Sequence, residues 1–457
     1  MTSTSTADRS QLRAVRKVAL GSSIGTTVEA YDFQIYGVAS ALVFGSVFFA
    51  GVPASLGTVF SFATLAVGFL ARPVGAIVFG HFGDRVGRKK LLVIALMGAG
   101  GCTTLIGMLP PQASVGIWAP TLLVVLRLMQ GLFHGGEQGG ALLMAVEHAP
   151  AHRRGWYGSW AFLGSPGGSL LAAGTLSITI AATGDSFLAW GWRIPFLASF
   201  VLLGIGMVIR ATVSESPEFA KLKGEGQRAK SPLAEVLRNS WRLVLAAIGV
   251  NLGFNAFIWV LLSYSLAYGT QYLGVERQVM LTSTLVGSGA MVLAILAFAR
   301  LSDAIGRMPI MIGGALFCTA YPFPLFALLE TRSTTVITTA IVVGFVGASA
   351  LFGPMAAFLA ELFPTKVAYS GVSLGYSLGA VLGGGLAPFI ASVLMHASGG
   401  AYWSVSLYLT IGALVTLFSL LYLRRRGPAQ AEALVEDVPA HETTKVRAAA
   451  PDERGAR

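Results

Sequence analysis

Charge is what this sequence has least of. Of its 457 residues only 12% are Asp, Glu, Lys or Arg, about half the share of an ordinary soluble domain. A water-exposed surface cannot be built from so few charges, which excludes a soluble enzyme or binding module. Cysteine is nearly missing as well. Cys102 and Cys318 stand 216 residues apart, each inside an apolar run, so neither a disulfide framework nor a cysteine metal cluster is indicated, and both are expected to be small packing residues. Neither HExxH nor GxxxxGK[ST] occurs, which argues against a zinc protease and against ATP-driven work by this chain. No cofactor, no metal and no enzymatic activity are expected.

Apolar residues and glycine fill the space instead: 54% of the chain is hydrophobic and 56 residues are Gly. Small residues let helix backbones approach closely in a membrane. Crossing the hydrocarbon core takes about 20 mostly apolar residues. On that scale the chain offers twelve runs, near 18–49, 56–80, 91–109, 117–147, 155–182, 193–213, 242–270, 278–299, 309–329, 335–359, 370–395 and 402–423. The expected fold class is therefore an all-α membrane protein.

The formal net charge of +11 does not point to nucleic acid, because the basic residues sit between apolar runs rather than on one soluble face. They report topology. If the N-terminus is cytoplasmic, twenty-three Lys and Arg up to Arg426 fall in cytoplasmic segments and only Arg193, Arg277 and Arg332 in the opposite loops. This positive-inside bias places both termini in the cytoplasm. The polar stretch 1–17, with Arg9, Arg13, Arg16 and Lys17 and no small-residue cleavage site after the following run, reads as an uncleaved N-terminal segment. The longest polar interval, 214–241, divides the spans six and six, giving halves at 18–213 and 242–423 joined by a cytoplasmic linker. The stretch 424–457 is expected to be a disordered cytoplasmic tail.

The two halves repeat. Asp84-Arg85-Val86-Gly87-Arg88 returns 219 residues later as Asp303-Ala304-Ile305-Gly306-Arg307, and Glu147-His148-Ala149-Pro150 returns 214 residues later as Glu361-Leu362-Phe363-Pro364. Gly164-Ser165-Pro166-Gly167-Gly168 has its counterpart in Gly383-Gly384-Gly385 with Pro388. Internal repeats of this kind are how many transporters are built.

These residues also carry a family resemblance. Gly80-His81-Phe82-Gly83-Asp84-Arg85-Val86-Gly87-Arg88-Lys89-Lys90 resembles the loop motif between the second and third helices of the major facilitator superfamily. Val28-Glu29-Ala30-Tyr31-Asp32-Phe33, Arg127-Leu128-Met129-Gln130-Gly131 with Gly135-Gly136-Glu137, Glu215-Ser216-Pro217-Glu218-Phe219 and Glu361-Leu362-Phe363-Pro364-Thr365-Lys366 resemble its metabolite:proton symporters, and Ser265–Thr270 with Leu374-Gly375-Tyr376 the shikimate-transporter-like branch. The resemblance covers about residues 18–423. It implies twelve transmembrane helices in two six-helix halves, an inner-membrane location, and secondary transport of a small organic acid with protons by alternating access. The chain departs from such relatives at Ala30 and Gln138, where Trp is usual, and at Asn251 and Phe254, where Arg and Glu are usual, so the solute can differ from shikimate. A proton-independent facilitator or exchanger, and a transporter-like sensor, are the alternative functions.

An ionisable side chain deep in hydrocarbon costs several kcal/mol and marks a functional candidate. Glu29 and Asp32 lie three residues apart, on one helical face near mid-depth, and with Glu137 are the candidates for proton coupling; the plainer reading is a fixed ion pair that holds helices together. Arg127 carries a permanent planar charge that forks onto a carboxylate, either of the solute or of a first-span acid. His134 shares its face. Tyr31, Tyr36, Asn255 and Trp259 complete the candidate solute-binding set. Arg72 is expected near the cytoplasmic end of the second span, snorkelling or capping. Gly83, Asp84, Arg85, Gly87 and Arg88, with Asp303 and Arg307 in the second half, form a candidate cytoplasmic gate, in which an aspartate can cap a neighbouring helix end and arginines can meet carboxylates. The expected partners are a small solute, protons and the lipid bilayer, with the chain acting as a monomer.

Overall fold

The computed structural model describes residues 6–86, 88–135, 146, 149, 151–160, 162–212, 238, 240–363 and 368–436, with side chains outside that description at 6–22, 24, 80–92, 151, 209–212, 368–369 and 426–436. Among the described residues the regular structure is all helical. Every apolar run of the sequence holds a helix. In chain order they are α1 (Thr6–Leu42), α2 (Ala54–Val86), α3 (Arg88–Met108), α4 (Trp118–His134), α5 (Arg154–Trp160 and Gly164–Thr183) and α6 (Arg193–Thr212). The second half has α7 (Trp241–Tyr272), α8 (Arg277–Ile305), α9 (Arg307–Ala320 with Pro322–Leu329), α10 (Thr334–Leu362), α11 (Ala368–Gly379, continuing to Ala397) and α12 (Trp403–Glu436). Seven of these are long and apolar enough to cross a membrane as single described helices, and α9, bent by 47° at Tyr321, makes an eighth.

Several boundaries differ from the sequence reading. Helix α1 begins at Thr6 rather than near 18, and α12 runs through Arg424–Arg426 to Glu436 rather than ending at 423. Helix α2 continues to Val86 instead of stopping near 80. A helix need not stop where its apolar run stops, because polar residues can extend it beyond the hydrocarbon. Of the linker 214–241, residues 214–237 and 239 lie outside the described residues.

Small residues set the packing, in the same way in each half. Gly164 and Gly168 of α5 meet Thr26 and Ala30 of α1 so closely that a Cβ at either glycine would collide with them. In the second half Gly375 and Gly379 of α11 meet Ala247 and Asn251 of α7 in the same way. Side chains three or four residues apart share a helix face, so each glycine series is one strip. Cys102 and Cys318 are buried and unpaired, as expected of packing residues.

Helices α7 and α11 are not α-helical throughout. Val260–Tyr264, Tyr268–Tyr272 and Ala380–Gly385 wind more widely, with five-residue bonds such as Leu273 N–H to Tyr268 O and Leu386 N–H to Val381 O. Such wide turns concentrate at functional positions. The wide turn of α11 lies where the second half meets the first: Gly385 packs on the Phe69 ring of α2, and next to it Gly384 packs on the Trp259 indole of α7.

Candidate functional site

Helix α4 turns its polar side inward. Arg127, Gln130, Gly131 and His134 are buried at helical spacing, while Leu122, Val125, Leu128 and Met129 are exposed on the outer side. In water that pattern would be inverted; in lipid, apolar side chains cover the outside and a polar stripe is affordable only in the bundle interior.

The Arg127 guanidinium is fully buried. It stacks 4.0 Å from the Tyr36 ring centroid and 4.3 Å from that of Phe33. Its Nη1 donates to Gln130 Oε1, and Gln130 Nε2 donates to Thr103 Oγ1 at 2.7 Å. The Nε and Nη2 groups make no hydrogen bond to a described residue. Together they form the side-on edge of the guanidinium, the fork that fits a carboxylate in two parallel bonds. Gly68 of α2 lies against that edge, where a Cβ would strike Nε.

The acids are held elsewhere. Glu29 Oε1 lies 3.1 Å from His134 Nδ1, and Asp32 Oδ1 accepts from Ser199 Oγ of α6 at 2.9 Å. Neither forms an ion pair with Arg127 among the described residues, so the fixed Arg127 pair weighed from the sequence does not occur in this conformation. Arg72 corrects the sequence reading further. It is buried at 9% exposure, with its Cζ 3.7 Å from the Phe33 centroid and 4.3 Å from that of Phe69, turned into the bundle rather than snorkelling out of it.

The remaining candidates divide. Tyr36 faces the centre and shares a 2.6 Å hydrogen bond with Thr64. Trp259 packs edge-on against Phe69 at 5.1 Å, and Asn255 Nδ2 donates to the Asn251 carbonyl at 2.9 Å. Tyr31 turns the other way: its hydroxyl donates to the Pro195 carbonyl of α6 at 2.7 Å. Glu137 lies outside the described residues. Sequence reasoning missed Phe33, Gln130, Thr103 and Ser199. Only Gln130 had a visible signal, three residues from Arg127 on the same face. Three stretches spell GxSxG, at 21–25, 371–375 and 375–379; all lie within α1 or α11 rather than at a strand-to-helix elbow, so they carry no hydrolase meaning.

Both ends of the bundle carry contacts between the halves. At the end rich in basic loops, Asp303 in the last turn of α8 receives the first backbone N–H groups of α5, from Gly155 to Oδ1 at 2.8 Å and from Trp156 to Oδ2 at 2.9 Å. Arg307 bonds to Glu361 at the end of α10, with Arg154 3.9 Å from the same carboxylate. Further in, Phe162, between the two segments of α5, stacks on Phe352 of α10 at 4.3 Å, and Phe352 on Phe254 of α7 at 4.4 Å. At the opposite end the Gln271 amide donates to the Ala41 carbonyl at 3.0 Å and accepts from Thr58 Oγ1 at 2.6 Å. Gly83, Asp84, Arg85 and Arg88 lie outside the described side chains, and Gly87 outside the described residues.

Two repeated six-helix halves that meet around a polar centre and touch at both ends are the architecture of a membrane transporter of the two-half type. Residues 22–380 match the Major Facilitator Superfamily, and the chain belongs to it. It is 38% identical over 417 residues to the shikimate transporter of Escherichia coli K12, covering 90% of this chain and 95% of that one. An inner membrane metabolite transport protein of the same organism is 39% identical over 416 residues, covering 89% and 93%. A proline/betaine transporter of Salmonella typhimurium is 34% identical over 399 residues, covering 84% and 78%. Among solved structures, a proton:xylose symporter superimposes with a TM-score of 0.70 at 19% identity, over 92% of this chain and 98% of that chain, a likeness of fold. The protein is thus a multi-pass inner-membrane transporter and not an enzyme.

Proposed function

We propose that the protein is a proton-coupled symporter of a small organic acid, which Arg127 holds by its carboxylate while Glu29 and Asp32 carry the proton. The observation that supports this most is the Arg127 fork: a buried guanidinium edge whose Nε and Nη2 make no hydrogen bond to any described residue. A buried charge without partners is costly, and a carboxylate is the group that matches a planar fork. The two acids sit on the helix beside it, one on His134 and one on Ser199. A carboxylate arriving at Arg127 adds negative charge near both, and protonating one of them offsets that charge. Solute and proton then travel together. The names of the relatives, a shikimate transporter and a proline/betaine transporter, suit a carboxylate-bearing solute. The basic loops put the Asp303 end and both termini in the cytoplasm, so the halves rock about this centre with the Asp303 contacts as an inner latch and the Gln271 contacts as an outer one.

Purified protein in vesicles with an imposed pH gradient tests the reading. Accumulation of a carboxylate solute should follow an inward proton gradient, and Glu29→Gln or Asp32→Asn should abolish accumulation while sparing counterflow. Arg127→Lys keeps the charge without the fork, and should weaken solute binding about tenfold or more, equivalent to ~1.4 kcal/mol. Equal uptake with and without the gradient, at clamped potential, replaces symport by facilitated diffusion.

A further inference from the structure

Helix α9 turns by 47° at Tyr321, where Pro322 and Pro324 follow and proline removes backbone donors that a straight helix needs. Its second segment leaves α10 at an angle, and a groove of about 340 Å³ opens between them, lined by Tyr321 and Leu328 on one side and by Val336, Thr339, Ala340 and Val343 on the other. The Tyr321 hydroxyl is spent on the Ala340 carbonyl at 2.9 Å, and the walls are almost wholly apolar. Leu328, Thr339 and Val343 are exposed, so the groove opens outward rather than to the polar centre. An apolar cleft offers water no partners; on this face of a membrane protein the neighbour is lipid. From Thr335 to Val343 the groove follows α10 for about 12 Å at 1.5 Å per residue, which fits within half of a ~30 Å hydrocarbon core. That is the reach of an acyl chain from one leaflet.

At the head of the groove, at the end opposite Asp303, the chain turns from α9 to α10 through Glu330 and Arg332. Both are exposed, and neither forms an ion pair among the described residues. Glu330 accepts a hydrogen bond from the Tyr268 hydroxyl at 3.4 Å. We propose that this groove is a phospholipid site, with one acyl chain between α9 and α10 and a phosphoethanolamine headgroup on the turn, its phosphate on Arg332 and its ammonium on Glu330. One cation and one anion above an apolar groove complement a headgroup that carries one of each. A headgroup of net negative charge would meet Glu330 as well as Arg332, and a quaternary ammonium has no N–H to donate, so a primary ammonium is the matching form. The site uses no residue of the solute centre.

The test is native mass spectrometry of the full-length protein with phosphatidylethanolamine, phosphatidylcholine and phosphatidylglycerol of identical acyl chains, joined to photolabelling by a phosphatidylethanolamine that carries a diazirine in its chain. Wild type should bind phosphatidylethanolamine about tenfold tighter than the other two, and label should fall within 321–343. Val343→Phe fills the groove and should weaken that binding about tenfold, with Thr339→Phe as the second filling variant should the first fail to fold. Arg332→Gln and Glu330→Gln should each cut the headgroup preference to under about threefold. Equal binding of the three lipids, a preference for phosphatidylglycerol, label outside 321–343, or filled variants that bind like wild type would each overturn the proposal.

Discussion

Removing the Asp303 carboxylate should open the transporter on its basic side. Its two oxygens accept the Gly155 and Trp156 N–H groups at 2.8 and 2.9 Å, donors at the start of α5 that have no intrahelical acceptor. The contact joins the halves, so it is lost when they part at this end. A hydrogen bond to a charged group contributes about 1.5–3 kcal/mol net. Asp303 is only partly buried, and water replaces part of what is lost, so Asp303→Ala should weaken closure by about 1–2 kcal/mol in all. At ~1.4 kcal/mol per tenfold, the closed-to-open ratio falls about 5- to 30-fold. Asp303→Asn keeps one acceptor and should lie between. A cysteine replacing Ala356, which is fully buried near Gly158 of α5, reports opening through its rate of alkylation by a polar maleimide in inverted vesicles. The natural Cys102 and Cys318 are buried and give little background. The rate should rise by the same factor. A folded Asp303→Ala protein whose rate stays within about twofold of wild type would refute the latch.

Gln271→Leu removes the two bonds to Ala41 and Thr58 at the other end, and should act with opposite sign: alkylation at position 356 slows and outer-side reporters become more reactive. Gly68→Ala puts a methyl group against Arg127 Nε; overpacking of this kind costs about 1–3 kcal/mol, and carboxylate affinity measured by calorimetry should fall about tenfold while the fold persists. The repeat extends the Asp303 expectation to Asp84: Asp84→Asn should slow transport with equilibrium solute binding nearly intact, and equal loss of both would count against it.

The fold was legible because lipid imposes one rule on every span. Backbone groups in hydrocarbon must be satisfied within the segment, so a long apolar run has to be a helix. The repeat at 84–88 and 303–307 is legible because its acid, glycine and arginine recur at one spacing. The site was legible only where charge is rare. Glu29, Asp32, Arg127 and His134 stood out against hydrocarbon. Phe33 did not, because a phenylalanine in an apolar run carries no mark of the guanidiniums it supports. Arg72 was visible, but its burial against Phe33 and Phe69 was not, because the sequence does not say which side of a helix faces the bundle interior. The pairings of Glu29 with His134 and Asp32 with Ser199 join residues 105 and 167 positions apart, and no local pattern encodes them.

The backbone repeat is not matched by a chemical one. At the 214-residue offset of the fourth and tenth spans, the counterpart of Arg127 is Ile341; at the 219-residue offset of the second and eighth, that of Arg72 is Met291. Both are buried. The second half offers the centre neutral groups, Asn255, Trp259 and Tyr376, and the aromatic stack of Phe254 on Phe352. Two halves with matching charges would repel across the cleft or pair permanently, and either would fix one conformation. With the central ions on one side only among the described residues, the anionic solute proposed above would settle in the first half while the cleft is open. The second half would then close over it through hydrogen bonds and aromatic faces, contacts that form only when the halves meet. Binding energy is thereby divided between capture and closure, and a differential of that kind is what a ligand needs to shift a conformational equilibrium.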